Sequence, residues 1–329
     1  MDIFGFISAH KRLLWVGLVC LLLVFVATLP LYARTYYVTM LIRILMFLTL
    51  AVSWAMFSGT TGYMSLAPAA FFGLGAYAVA LLQGRLPFAV IMVMGGLVAF
   101  VLAVVVGLIT LRLRGMYFAI FTFGLVVFLS EIILYLSNRL GHSRGWDIIP
   151  MERATLLYIM LTLAVVTVLV AYFIRRSRLG LAMLSIGGNE EAAEHMGINT
   201  TMVKVLTFGM SAFFMGAAGA ATAPSLVYFD NRIAFSLSYS FMPILMAVFG
   251  GTGQLYGPVI GAIVFGYLEK TLRTELQAYF MLGFGILLAG VILFLPNGIA
   301  GVVPLLQDRL GKLTSRLRKG GRAEQHANT

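Results

Sequence analysis

Long apolar runs separated by short polar connections fill most of the chain. The runs cover residues 13–32, 36–57, 65–82, 86–111, 116–136, 155–174, 203–223, 237–249, 256–269 and 276–295. A helix needs about 20 apolar residues to cross a bilayer core, so the pattern predicts about ten spans. The eighth and ninth are short and are expected to be broken or re-entrant. Only helices and closed barrels satisfy their backbone in lipid. Barrel strands would alternate polar and apolar positions, and these runs are continuous. The expected fold class is therefore an all-α polytopic helical bundle. The first run follows the basic His10-Lys11-Arg12 and has a cleaved leader as its alternative reading. Its length favours a retained span.

Composition supports lipid as the solvent. The chain is 61% hydrophobic and only 11% charged, against roughly 25% charged in soluble domains. Its mean hydropathy is +0.98. The net charge of +11 would suggest nucleic acid in a soluble protein. Here the cations sit in connections and in the tail, the pattern of the positive-inside rule, so no nucleic-acid partner is expected. Cys20 is the chain's one cysteine, which excludes an intrachain disulfide and any metal cluster built on cysteines. With the N-terminus inside, Lys11, Arg12, Arg112, Arg114, Arg175, Arg176, Arg178, Lys204 and the six cations of the tail fall on the cytoplasmic side. Arg34, Arg85, Arg139, Arg144, Arg153, Arg232, Lys270 and Arg273 fall outside. The expected organisation is a cytoplasmic N-terminus (1–12), a membrane domain (13–305) with a cytoplasmic loop at 175–202, and a basic cytoplasmic tail (306–329). That tail is expected to be disordered or to lie on anionic lipid.

The loop contains "GGNEEAAEHMGI", a short acidic segment between two apolar runs. Asn189 is a good N-cap, and Glu190 and Glu191 suit the positive end of a helix dipole. Gly197 suits a left-handed stop. These signals predict a helix over 190–196. Two turns are not stable alone in water, so either the bundle or a partner protein must hold them. Ala192 and Ala193 offer a surface that can be approached closely. A capped connector is the plain alternative to a docking element.

Glycine-rich stretches such as "GAAGAA" and "GGTGQLYGPVIGAIVFGY" let helix backbones approach. Packing is the plain reading of these glycines, and for residues 250–258 the alternative is a helix break where a permeant passes. Residues 62–68 and 253–258 each run from Gly to Pro at the start of a span, as an internal repeat would. Charges inside spans are costly and mark functional sites by default. Arg43 and Glu131 lie at similar depths, about 3 Å apart at 1.5 Å per residue, and are expected to pair or to line a polar vestibule. Ser65, Ser238, Ser240 and Thr252 add hydroxyls for a polar solute, although each can instead bond the preceding helical turn.

Several segments resemble the membrane subunits of ABC importers. In "EEAAEHMGI", Glu191, Ala192, Ala193 and Gly197 match the Glu-Ala-Ala-x3-Gly pattern of their cytoplasmic coupling loop. "SLAPAAFFGLGAYAVALL", "LRLRGMYFAIFTFGLVVFLSEII", "GGTGQLYGPVIGA" and "LFLPNGIAG" are similar, in that order, to segments of the branched-chain amino acid (high-affinity) permeases. The resemblance spans roughly residues 36–303. Ala67-Pro68 stands where that family has Gly-His, and Pro68 must kink its helix or start it. Met116 replaces a common polar residue, and "LGHSRGW" replaces an outer Thr-Gly-Gly-Ser stretch.

The resemblance implies a permease subunit in the bacterial inner membrane that carries a small polar solute such as an amino acid. Its implied partners are cytoplasmic ATPase subunits, a second similar permease and an extracytoplasmic solute-binding protein. Asn189, Glu190, Glu191, Ala192, Ala193 and Gly197 would form the ATPase-coupling element. No cofactor is expected. No G-x4-G-K-[ST] phosphate loop occurs, and no Ser/His/Asp arrangement appears, so the chain is expected to be no enzyme and to draw its energy from a partner. The alternative is a transporter driven by an ion gradient. That class needs acids near mid-membrane, and Glu131 is the one acid read as intramembrane.

Overall fold

A computed structural model describes residues 26–32, 34–113, 115–142, 145–275 and 298. The expected tenth run, most of the first and the tail lie outside these residues. The described helices are α1 (Thr35–Thr61), α2 (Pro68–Leu82), α3 (Phe88–Thr110), α4 (Met116–Arg139), α5 (Arg153–Arg176), α6 (Arg178–Gly188), α7 (Glu190–His195), α8 (Thr200–Leu226), α9 (Asn231–Ala234), α10 (Ser238–Gly250) and α11 (Tyr256–Glu275). Six segments among the described residues are long and apolar enough to cross a membrane: α1, α3, α4, α5, α8 and Asn231–Gly250. Helix α2 and the apolar part of α11 are shorter.

Helix α8 is the buried centre, packed by α3, α2, α1 and α5. Small side chains make this possible. An added Cβ on Gly216 would lie 2.6 Å from Ala99 Cβ and 2.7 Å from the Gly95 carbonyl oxygen. One on Gly75 would overlap the Gly216 carbonyl, and one on Gly219 the Phe72 carbonyl. The glycines therefore serve close helix crossings, which is how membrane helices gain contact without a hydrophobic driving force. Helices α3 and α4 lie outermost and turn apolar faces outward.

The third run departs from the expected span. Pro68 starts α2 rather than kinking it, because its ring suits a first helical turn and it has no amide hydrogen to leave unpaired. Residues 62–67 before it are non-helical, with Tyr63, Ser65 and Ala67 buried. Side chains stitch this segment in place. Ser65 N donates to Ser58 Oγ (3.3 Å) and Leu66 N to Thr122 Oγ1 (2.9 Å). Ala67 N donates to Ser65 Oγ (3.3 Å), and Trp54 Nε1 donates to the Ser65 carbonyl (2.8 Å). Ser240 Oγ accepts from Ala69 N (3.0 Å) and donates to the Leu66 carbonyl (2.9 Å). Irregular backbone survives in a bundle core only when its groups are paired in this way.

A second break falls between Gly250 and Tyr256, within residues 250–258. The ninth run continues past Glu269 as α11, to Glu275. The described residues also include one pair of strands: β1 (Trp146–Asp147) pairs antiparallel with β2 (Tyr228–Phe229). Two-residue strands carry no readable alternation, so the all-α expectation missed them.

The connections sort to two ends. At one lie Gly62, Tyr63, Gly115 and Asn189–Glu191 around a shared cavity, with Arg175 donating to the Gly253 carbonyl. At the other, Gln83 holds the Asp147 carbonyl (2.7 Å) and Ile149 N (3.0 Å), and Arg153 donates to Thr39 Oγ1. This is the alternation that successive spans require.

Candidate functional site

The segment between α5 and α8 folds as its caps dictate. Asn189 Oδ1 accepts from Ala192 N at 3.1 Å, which starts α7. Gly197 ends it with φ +82°, a left-handed conformation that glycine adopts without strain. Ile198 N then reaches back to the Ala193 carbonyl at 3.1 Å. The helix ends at His195, one residue short of the expected Met196. Glu191, Ala192, Met196 and Gly197 face outward, whereas Ala193 is fully buried. The expected approach surface of Ala192 and Ala193 is therefore half as wide, because Ala193 seats the helix on the bundle.

Helix α6 was not expected. Ser177 caps it through Gly180 N (3.4 Å), and Met183 and Ile186 face inward while Leu181 and Leu184 are exposed. The i, i+3 spacing of Met183 and Ile186 was the available signal. At Gly187 the α6 backbone closes on Thr60, leaving no room for a Cβ beside the Thr60 carbonyl.

Beneath α7 lies a cluster that the sequence concealed. Lys204 Nζ, on a side chain 3% exposed, sits 2.6 Å from Glu190 Oε1. It also donates to Tyr63 Oη (3.2 Å) and to the Leu111 carbonyl (3.0 Å). Tyr63 Oη donates to Glu190 Oε2 at 2.5 Å. All three ammonium hydrogens thus have acceptors, the condition under which a buried charge is tolerated. Glu190, counted in the expected coupling element, is turned inward and fastens that element to the bundle.

The expected Arg43–Glu131 pair does not form. Arg43 Nη2 lies 2.9 Å from Glu269 Oε1, with the guanidinium half exposed and Glu269 buried. The reason is packing. An added Cβ at Gly266 would lie 3.1 Å from Ile44 Cγ1, so α11 lies close against α1 and brings Glu269, one turn on, to Arg43. Glu131 instead sits on the exposed face of peripheral α4. Arg43 and Arg153 both line a cavity of about 460 Å³ with Thr39, Thr222, Ser225 and Tyr239 and an apolar floor that includes Ile42 and Met46.

The hydroxyl candidates divide. Ser65 and Ser240 spend theirs on the 62–67 segment. Thr252 packs against Gly59, and Ser238 is exposed at the start of α10. Among the described residues no three His, Cys, Asp or Glu side chains are placed to hold a metal.

The model of a family described as the branched-chain amino acid transport system permease component matches residues 36–295. The high-affinity branched-chain amino acid transport permease LivM of Salmonella typhimurium is 26% identical over 303 residues, covering 80% of this chain and 69% of that protein. LivH of Escherichia coli is 28% identical over 163 residues, 49% of this chain and 51% of its own. The ribose import permease RbsC of Haemophilus influenzae is 29% identical over 118 residues, covering 34% and 36%. No solved structure matches the chain.

Proposed function

The chain belongs to the family of branched-chain amino acid transport permease components, a membrane subunit of an ATP-binding-cassette importer, and from that premise we propose how it works. It forms part of the translocation path for a small polar solute, with a branched-chain amino acid as the leading candidate. A separate cytoplasmic ATPase hydrolyses ATP and docks on α7. A second similar permease completes the pore, and an extracytoplasmic binding protein delivers the solute. The protein resides in the bacterial inner membrane with both termini in the cytoplasm.

The observation that carries this reading is α7 itself. It is a short helix capped at both ends, seated by Ala193 and presenting Glu191, Ala192 and Met196 outward. A helix this short persists only because its surroundings hold it, so a protein that grips its outer face moves the bundle as well. At the opposite end, the cavity with Arg43 and Arg153 at its mouth and aliphatic side chains below suits a small carboxylate with an apolar tail. Glu131, an acid on an outward apolar face, is costly against lipid. It therefore faces the water-filled path or the second permease. Ser238 remains a path residue, while Ser65, Ser240 and Thr252 contribute by shaping the helix breaks beside it.

Gly197→Pro, or deletion of residues 190–197, tests the coupling assignment. ATPase copurification and uptake should both be lost. A variant that keeps both at the wild-type level would overturn it.

A further inference from the structure

Four separate pieces of chain meet at one ammonium group. Glu190 comes from α7, Lys204 from α8, Tyr63 from the non-helical segment 62–67 and the Leu111 carbonyl from just beyond α3. The Lys204 ammonium also lies 4.7 Å from the centre of the Tyr63 ring, within range of a cation–π attraction. Tyr63 is 7% exposed and stacks edge-on against Phe118 at the start of α4, with ring centres 5.6 Å apart. Beyond Tyr63 the same segment is held at Leu66 by Thr122 on α4 and Ser240 on α10.

We propose that Lys204 is a positioning residue that locks α7 to the non-helical segment 62–67, so that a displacement of α7 is passed to α4 and α10. The proposal rests on the reading of α7 as the ATPase contact. Its physical basis is the cost of letting go. Separating Glu190 from Lys204 would leave an ammonium in a site 3% exposed, and an unpaired buried charge is strongly disfavoured. The cluster therefore moves as one body instead of stretching. The segment 62–67 is the natural recipient, because it is fixed by individual side-chain hydrogen bonds and lacks the continuous ladder of a helix. Adjacency alone does not establish energetic coupling, so the test must read coupling.

The complete importer, reconstituted in proteoliposomes with its ATPase, partner permease and binding protein, is assayed for radiolabelled leucine transported per ATP hydrolysed. Lys204→Met removes the charge but keeps most of the stem. Tyr63→Phe removes one hydroxyl and little else. The expected result is a fall in the ratio of about tenfold for Lys204→Met and of a few-fold for Tyr63→Phe, with ATP hydrolysis retained. The double variant should fall no further than Lys204→Met, since both act on one link. A purely structural role would lower the amount of assembled complex and leave the ratio unchanged. Should Lys204→Met fail to assemble, Tyr63→Phe decides, and a wild-type ratio in that variant overturns the proposal. A wild-type complex that accumulates leucine without ATP would instead overturn the underlying reading of α7.

Discussion

The crossing of α3 and α8 at Gly216 makes a quantitative demand on the protein. In Gly216→Ala the new methyl would sit 2.6 Å from Ala99 Cβ and 2.7 Å from the Gly95 carbonyl oxygen. Nonbonded carbons settle at about 3.5–4.0 Å, so the helices must part by roughly 1 Å. Two of the three nearest atoms are backbone and cannot rotate away. Overpacking costs about 1–3 kcal/mol, and here the upper half of that range applies. Alanine's better helix propensity returns at most about 1 kcal/mol. The net expectation is a loss of about 1–2 kcal/mol, a fall of a few degrees in Tm. Gly124, on the outward face of α4, is the control, because nothing lies within 4 Å of an added Cβ. Gly124→Ala should leave Tm unchanged or slightly raised. Thermal unfolding of detergent-purified protein, followed by tryptophan fluorescence, measures both. Equal midpoints for the two variants would refute the close crossing.

Two further outcomes follow from the polar contacts. Ser240→Ala removes the acceptor of Ala69 N and the donor to Leu66 O, and a buried group left unpaired costs about 1–3 kcal/mol, so its unfolding midpoint should drop, and an unchanged midpoint would contradict the clamp. The Arg43–Glu269 pair is asymmetric in burial, 48% against 1% exposed. Arg43→Met, which takes the guanidinium from a buried carboxylate, should lower the unfolding midpoint more than Glu269→Gln does in the same assay, and the reverse order would show that Glu269 is reached by water.

Much of the architecture was readable along the chain, because membrane helices announce themselves by length and hydrophobicity alone. The runs at 86–111, 116–136, 155–174 and 203–223 became α3, α4, α5 and α8 with ends shifted by a few residues. The caps of α7 were readable for a local reason: Asn189 and Gly197 act on their own backbone. What stayed hidden depends on packing between distant segments. Arg43 and Glu269 are 226 residues apart, and Glu269 closes a short apolar run, a position that does not reveal its burial. Lys204 looked like an ordinary cytoplasmic cation beside a span. Its burial follows from α7 folding back over the first turn of α8, which no residue pattern states. Glu131 was matched to Arg43 by depth, but depth does not say which way a helix is rotated.

The central claim is that this bundle is driven by ATP hydrolysed elsewhere and received at α7. The most direct measurement is leucine uptake into cells or proteoliposomes carrying the complete importer, compared under ATP depletion and under a protonophore, with the Gly197→Pro variant alongside. The account predicts that depletion and Gly197→Pro each abolish uptake while the protonophore, with ATP held constant, leaves it intact. Uptake that survives without ATP and collapses with the protonophore would contradict it.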